Sequence, residues 1–139
     1  MPRGEAPTTY ATSPDTAESV QIPSKSGTTE ILYFFAPWCT VCKYSAPNAR
    51  LVGQWFPSVK LTFVALDYES TDEVTAFANE YIKAPVVLGN VTVQQAWSIS
   101  AFPSYAIINP DNKISHRSVG YSTSVGMAFW VLLTKIGLL

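Results

Sequence analysis

Two cysteines separated by two residues stand where an apolar strand gives way to a helix, and this feature most constrains the fold. The segment reads YFFAPWCTVCK, and its Cys39 and Cys42 are the only two cysteines in the 139 residues. Residues 31–35 just before it are β-branched and aromatic, which is typical of a buried central strand. Apolar residues then recur at helical spacing towards Trp55, so a helix is predicted to begin at the cysteines.

The rest of the chain alternates between the two kinds of element. Pro47 lies inside the first predicted helix and is expected to kink it. Further elements are predicted as an edge strand at 20–22, a strand at 60–66, a helix from Ser70 or Thr71 to Tyr81, a helix at 90–97, a hairpin of strands 104–108 and 113–119, and a last helix from Ser122 or Thr123 to the C-terminus. This order predicts an α/β domain with a central mixed sheet of four to five strands flanked by helices, ending in a β-hairpin plus helix.

The first residues differ from the rest in composition. Residues 1–28 are rich in Thr, Ser and Pro and hold almost no large apolar residue before Val20. Such a segment buries too little surface to offset the entropy lost on ordering. We therefore expect residues 1–19 to be a flexible leader or tether and residues 20–139 to form the domain.

Overall composition excludes some classes of function. A hydrophobic share of 47% supports a packed core, and a net charge of −1 without a basic stripe argues against a nucleic-acid partner. No apolar run reaches the roughly 18 residues that span a bilayer. Met1 is not followed by the charged and apolar regions of a signal peptide. The protein is therefore expected to be cytosolic or to be a soluble fragment of a longer precursor.

The cysteine pair has three chemical interpretations. As half of a metal site it would need further ligands, and the chain offers one histidine, His116, and no other cysteine. As a structural disulfide it would close a very short loop and remove little entropy from the unfolded state. As a redox pair, Cys39 would stand where the amide N–H groups and dipole of a helix favour an anionic sulfur, with Cys42 one turn away to resolve a mixed disulfide. The third interpretation is favoured.

The residues around the cysteines and near the hairpin carry a family resemblance. The segment FAPWCTVCK, with Pro47 five residues after the second cysteine, resembles the active-site segment of thioredoxin-fold proteins. Residues 101–114 are similar to the cis-proline, strand, turn and strand of the TlpA-like or DsbE-like thiol:disulfide oxidoreductases, and Gly120 falls where that branch commonly has a glycine. The resemblance extends from about Val20 to the end of the chain.

The resemblance implies a role for each site residue. Cys39 would be the exposed nucleophile and Cys42 the buried resolving thiol. Trp38 would form part of a lid beside the sulfur, although core packing is an equal alternative. Pro103 would be the cis-proline that faces the disulfide and, with Phe102, would contact substrate; Phe102 could also simply fill space.

The resemblance also implies the setting in which the chain works. Its partners would be protein thiols and disulfides and an unidentified redox donor, with no metal, nucleotide or flavin. The branch is mostly exported or membrane-tethered in bacteria. We therefore expect a periplasmic or extracytoplasmic monomer, with a membrane tether outside this chain in the full-length precursor.

Three positions depart from the pattern of the family. Tyr33 stands where thioredoxins place a buried aspartate, Ser45 where TlpA-like reductases often have glutamate, and Ala101 where the branch often has glycine. No buried carboxylate is thus evident to deprotonate Cys42. Asp67, at the end of the second predicted strand, is a spare candidate, but a solvent-exposed role is the stronger expectation.

The dipeptide between the cysteines bears on the direction of electron flow. Thr40 and Val41 carry no charge to stabilise a thiolate, which favours a reducing pair. A disulfide oxidase or isomerase is the alternative within the same chemistry. A thioredoxin-like module that binds a metal or a client protein without catalysis is the alternative outside it.

Overall fold

A seven-stranded sheet flanked by helices forms the part of the protein that the structure, a computed structural model, describes, which is residues 4–25 and 27–137. Residues 1–3 of the expected leader, Ser26, and the last two residues of the expected C-terminal helix lie outside it. The strands are β1 (Thr9–Thr12), β2 (Ser19–Ile22), β3 (Glu30–Phe35), β4 (Lys60–Ala65), β5 (Val86–Leu88), β6 (Ser104–Ile108) and β7 (Ile114–Val119). The helices are α1 (Thr40–Trp55), α2 (Thr71–Phe77), α3 (Val91–Ala96) and α4 (Ser124–Lys135).

The strand order confirms the predicted class and mixed sheet. From edge to edge it is β2-β1-β5-β4-β3-β6-β7, with β3, β4 and β5 parallel and every other pairing antiparallel. The hairpin of β6 and β7 and the final helix α4 were predicted. The strand number of four to five was too low, because β1 and β5 are short and carry little hydrophobic pattern.

Strand β1 lies within the segment that the sequence assigns to a leader. It pairs with β2 on one side and meets β5 on the other. Its inward residues are Thr9 and Ala11, which are buried, whereas the larger Tyr10 is 56% exposed. The structure therefore differs from a flexible segment here, and the physical reason is that small inward side chains are enough on a strand that pairs with β2 along its length and with β5 at Thr12.

Strand β3 is the centre of the core and is buried along its whole length. Tyr33 and Phe35 face one hydrophobic cluster, which includes the buried side of α1. Phe34 faces the opposite cluster, where its ring lies 5.8 Å from that of Trp97. The strand thus lies between two packed layers and ends at Phe35, shortly before Cys39.

The helix starts follow the predicted capping residues. Ser70 accepts a hydrogen bond from the Glu73 N–H at the start of α2, and Thr123 does the same for Gly126 at α4. Helix α2 continues as a π-helical turn (Ala78–Ile82), so the predicted helix is α-helical only in its first part. No helix among the described residues has the length and apolar character needed to cross a membrane.

Candidate active site

The cysteine pair sits at the first turn of α1, directly after the central strand. Cys39 is the N-cap residue of α1, and its own N–H donates to the Ala36 carbonyl at 3.0 Å. Its Sγ accepts a hydrogen bond from the Cys42 N–H at 3.2 Å. Both cysteines are free thiols. The sulfur of Cys39 therefore lies against an amide donor at the positive end of the helix, where negative charge is favoured.

Both thiols are shielded from solvent. Cys42 is 0% exposed, as expected for a buried partner. Cys39 is 5% exposed, so the residue is buried and not exposed as expected, although it remains the more accessible of the two. The half-buried Phe102 packs against the buried cluster that contains both cysteines. Phe102 comes from the loop before β6, where the family resemblance implied an apolar side chain near the cysteines.

Trp38 forms an exposed aromatic edge next to Cys39. Its side chain is 58% exposed, which rules out core packing as its larger role. The indole Nε1–H donates to the Asp67 carbonyl oxygen at 2.9 Å, and the ring meets Phe102 edge-to-face at 5.7 Å between centroids. Two contacts from separate loops therefore hold the indole in one orientation while leaving much of its surface open.

Pro103 lies at the entry to β6, and the Phe102–Pro103 peptide bond is cis, as expected. The proline is buried, and its carbonyl accepts the Gly120 N–H at 2.7 Å. Gly120 has a φ of +93°, a conformation that other residues rarely adopt. The glycine noted in the sequence thus fixes the chain leaving β7 against the proline.

Cys42 lies in a region that disfavours its ionisation. Burial is the largest cause that raises the pKa of the Cys42 thiol, and its contact with Cys39 raises it further. In the described residues no carboxylate contributes to that pKa. Asp67, the spare candidate for a proton acceptor, is exposed and contacts Trp38 through its backbone.

Two positions that depart from the family pattern meet beside Cys42. Burial raises the pKa of Tyr33 far above its usual range, Ser45 opposes that shift, and Cys42 and Cys39 add to it. Neither the Tyr33 nor the Ser45 hydroxyl has a hydrogen-bond partner among the described residues. Burying such a hydroxyl costs about 1–3 kcal/mol. Sequence reasoning found each residue but could not show that the sheet brings them together.

The histidine weighed as a metal ligand lies elsewhere in the fold. His116 is on β7, and its ring stacks on Trp130 at 4.1 Å between centroids. Within residues 4–25 and 27–137, no three His, Cys, Asp or Glu side chains gather as a metal site would require.

The sequence matches the AhpC/TSA family over residues 2–117, which is most of its length. The chain belongs to the AhpC/TSA family. Its relatives include the sporulation thiol-disulfide oxidoreductase A of Bacillus subtilis, 24% identical over 81% of this chain and 72% of the relative. The thiol-disulfide oxidoreductase ResA of the same organism is 28% identical over 85% of this chain and 68% of its own length.

The solved structures place this AhpC/TSA protein in the thioredoxin fold. A thiol:disulfide interchange protein of the thioredoxin family from Chlorobium tepidum superposes with a TM-score of 0.80 and 20% identity. The match covers 96% of this chain and 97% of the other. Together with the two relatives, this likeness confirms the resemblance to TlpA-like and DsbE-like proteins that the cysteine segment suggested.

Proposed function

We propose that the protein catalyses thiol–disulfide exchange with protein substrates through Cys39 and Cys42. The observation that carries this proposal is the hydrogen bond from the Cys42 N–H to the Cys39 Sγ at the start of α1. It stabilises an anionic Cys39 sulfur, which is the attacking species in exchange. The same bond keeps the second sulfur one helical turn from the first.

The reaction proceeds in two exchanges. The Cys39 thiolate attacks one sulfur of a substrate disulfide, a Cys39–substrate disulfide forms, and the other substrate sulfur leaves and takes a proton. Cys42 then attacks the Cys39 sulfur, the Cys39–Cys42 disulfide forms, and the second substrate sulfur leaves as a thiol. The cysteine pair gives the substrate two electrons, and of the two protons that the substrate gains, one is lost by Cys42 and the other comes from solvent.

Three residues are proposed to contact the substrate chain. Trp38 offers an exposed indole that one hydrogen bond and one ring contact orient, and Phe102 adds a second apolar ring beside it. Pro103 has no N–H of its own, so it does not compete with a substrate backbone for acceptors. An extended apolar segment of a partner protein fits these features.

Trapping of the intermediate tests the assigned roles. Cys42→Ser, incubated with a disulfide-containing protein, should accumulate a disulfide-linked adduct that mass spectrometry assigns to Cys39. The matched variant Cys39→Ser should form far less adduct. Equal trapping by both variants would show that attacker and resolver are wrongly assigned. Stoichiometric zinc or copper in the reduced protein, with no cysteine-dependent turnover, would favour the binding module instead.

The proposed direction is reduction of the substrate. The residues between the cysteines, Thr40 and Val41, bring no charge that would stabilise the reduced form. We expect a reduction potential below roughly −200 mV, which is the reducing side of the range for this chemistry. Equilibration with a glutathione series measures it, and a potential near that of strong oxidants would indicate an oxidase or isomerase.

The proposed setting is outside the cytoplasm, as a monomer, with electrons from a separate donor. The resemblance to TlpA-like and DsbE-like proteins supports this location, as does thiol chemistry that needs disulfide-bearing partners. No metal, nucleotide or flavin takes part in the exchange. A reporter active only outside the cytoplasm, fused to the C-terminus of the full-length gene product, should be active. Sedimentation of the purified chain should give a monomer mass.

A further inference from the structure

A cavity of about 290 Å³ lies next to Trp38, at the carboxyl ends of β4 and β5. Its lining residues are Asp67, Tyr68, Gly89, Asn90, Val91 and Gln94. Trp38 connects it to the cysteines, because its indole N–H donates to the Asp67 carbonyl oxygen and Trp38 directly precedes Cys39. Crevices outside the carboxyl ends of parallel strands are where open α/β sheets bind their ligands.

The strand order places this cavity and Phe102 on opposite sides of the central strand. Strand β4, with β5 beyond it, pairs with one edge of β3, and β6 pairs with the other edge. Strand β6 runs antiparallel to β3, so the loop that carries Phe102 and Pro103 meets the same end of the sheet as Cys39. A substrate segment that lies across Cys39 can therefore contact Phe102 on one side and the cavity on the other.

The two loops that form the cavity are held together by backbone contacts. The Tyr68 hydroxyl donates to the Gly89 carbonyl at 2.8 Å, and the Gly89 N–H donates to the Ala65 carbonyl at 2.8 Å. A Cβ atom at position 89 would lie 2.9 Å from the same Ala65 oxygen, so only glycine fits there without a shift of the backbone. The cavity is thus a built feature of the chain leaving β4 and β5.

The chemistry of the lining residues favours a cation. Asp67 is the only charged residue among them; it is exposed, and its backbone carbonyl, not its carboxylate, bonds Trp38. Gln94 Nε2 donates to the Ile99 carbonyl at 3.2 Å, which leaves the amide oxygen as an acceptor. Val91 is 66% exposed and offers an apolar contact for a methylene chain. Lysine and arginine side chains combine such a chain with a positive charge and several N–H donors.

We infer that this cavity binds a lysine or arginine side chain of the substrate protein, with the Asp67 carboxylate as its counter-charge. The inference rests on the proposed exchange reaction and adds a substrate preference to it. Neighbouring strands are about 4.8 Å apart, so β5 lies about 10 Å from β3, a distance that about three extended residues span. The basic residue is therefore expected about three positions from the substrate cysteine, with the apolar residues on the Phe102 side.

The test compares peptides that differ in one side chain. Each carries one cysteine in a disulfide with a small uncharged thiol and, three positions before or after it, arginine, alanine or glutamate. The rate constant of exchange with the reduced protein is measured well below saturation. In one of the two series, arginine should raise it about two- to fivefold over alanine, the usual effect of one partly exposed ion pair, and glutamate should lower it. The gain should disappear in about 1 M salt, where the Debye length falls to about 3 Å.

Asp67→Asn removes the charge and keeps the backbone, because asparagine also adopts the positive φ of +50° found at this position. In this variant the arginine and alanine peptides should react at equal rates. Glu69→Gln is the matched control, since Glu69 is an exposed acidic residue close in the chain that does not line the cavity. It should keep the preference for arginine.

Two failures are distinguishable. If the wild type exchanges with all the peptides at the same rate, or if Glu69→Gln loses the preference as Asp67→Asn does, the inference is wrong while the exchange reaction stands. If the wild type exchanges with none of the peptides, the proposed function fails.

Discussion

Each thiol of the pair has its own electrostatic surroundings, although only two residues separate them. Cys39 Sγ receives an amide hydrogen bond at the start of α1, whereas Cys42 is enclosed by apolar groups that raise its pKa. One sulfur therefore lies against an amide donor, whereas burial holds the proton on the other. This division of roles follows from one helical turn, because the first sulfur caps the helix and the second lies on its buried face.

The buried Cys42 thiol should make the stability of the reduced protein fall at alkaline pH. Its folded pKa lies above the ordinary 9.0 to which the unfolded chain returns. Above that ordinary value the unfolded chain holds fewer protons than the folded chain. The contribution of Cys42 to the free energy of unfolding is therefore fully present well below pH 9 and decreases as pH rises. The slope from one such group approaches about 1.4 kcal/mol per pH unit.

Urea unfolding in reductant at pH 8, 9 and 10 measures this loss. Cys42→Ala should remove most of the pH dependence between pH 8 and pH 9, where the tyrosines with raised pKa, whose ordinary pKa is 10.0, still contribute little. Equal slopes for the variant and the wild type would mean that burial does not hold the proton on Cys42.

Trp38 should contribute more to the rate of exchange with protein disulfides than to the rate with small disulfides. Trp38→Ala is expected to slow exchange with a protein disulfide about three- to tenfold, the usual effect of losing an aromatic contact. The rate with a small aromatic disulfide should stay the same or rise, because the indole no longer shields Cys39. Trp55→Ala is the control, since Trp55 is also exposed on the last turn of α1. Equal losses for both substrates would instead indicate that Trp38 maintains the geometry of the cysteines.

At the scale of elements, strand β1 links distant parts of the fold through one side chain. The Thr9 hydroxyl donates to the Ile22 carbonyl at 2.8 Å and accepts from the Trp97 Nε1–H at 3.0 Å. Both bonds are buried. A single small residue thereby ties β1 to β2 and to the indole that packs on the back of β3.

Thr9→Val should lower the free energy of unfolding by about 1–3 kcal/mol, because it leaves the buried Trp97 N–H without an acceptor while preserving shape. Thr12→Val, on the same strand but exposed, should change it little. Chemical denaturation of both variants measures this difference. Similar free energies of unfolding for the two would mean that the Thr9 hydroxyl is not needed for stability.

Elements with a strong local signal were predictable from sequence, and those fixed by distant contacts were not. Strand β3, helix α1 and the β6–β7 hairpin have clear apolar patterns or turn residues. Strand β5 has three residues, too few for a pattern. Strand β1 places its one large residue, Tyr10, on the solvent side, which inverts the expected alternation.

The site shows the same division. Cys39, Cys42 and the cis bond before Pro103 could be predicted from a local motif. The shielding of Cys39 and the meeting of Tyr33 with Ser45 depend on how β3, α1 and the loop before β6 pack. A local sequence motif cannot predict contacts between segments that are distant in the chain.

At the scale of the molecule, the N-terminal segment is attached to the sheet at two places. The Gly4 carbonyl accepts the Ile114 N–H at 2.8 Å, and the Ala6 N–H donates to the Asn112 carbonyl at 2.9 Å. Strand β1 then inserts between β2 and β5. The described part of this segment therefore contributes to the fold on both sides of the sheet's centre.

A chain that begins at residue 20 should therefore be less stable than the full chain by about 3 kcal/mol or more, from several lost hydrogen bonds at about 1 kcal/mol each. A chain that begins at residue 4 is the control and should match the full chain. Thermal and urea unfolding compare the three. Equal stability of all three would support the interpretation of residues 1–19 as a tether.

The enclosure of Cys39 also has a consequence for the lifetime of the protein. Oxidation of a thiol by small molecules depends on how accessible its residue is, and Cys39 is only 5% exposed. A dissolved peroxide should therefore react with Cys39 more slowly than with an exposed thiol. We therefore expect overoxidation of Cys39 by dissolved oxidants to be slow.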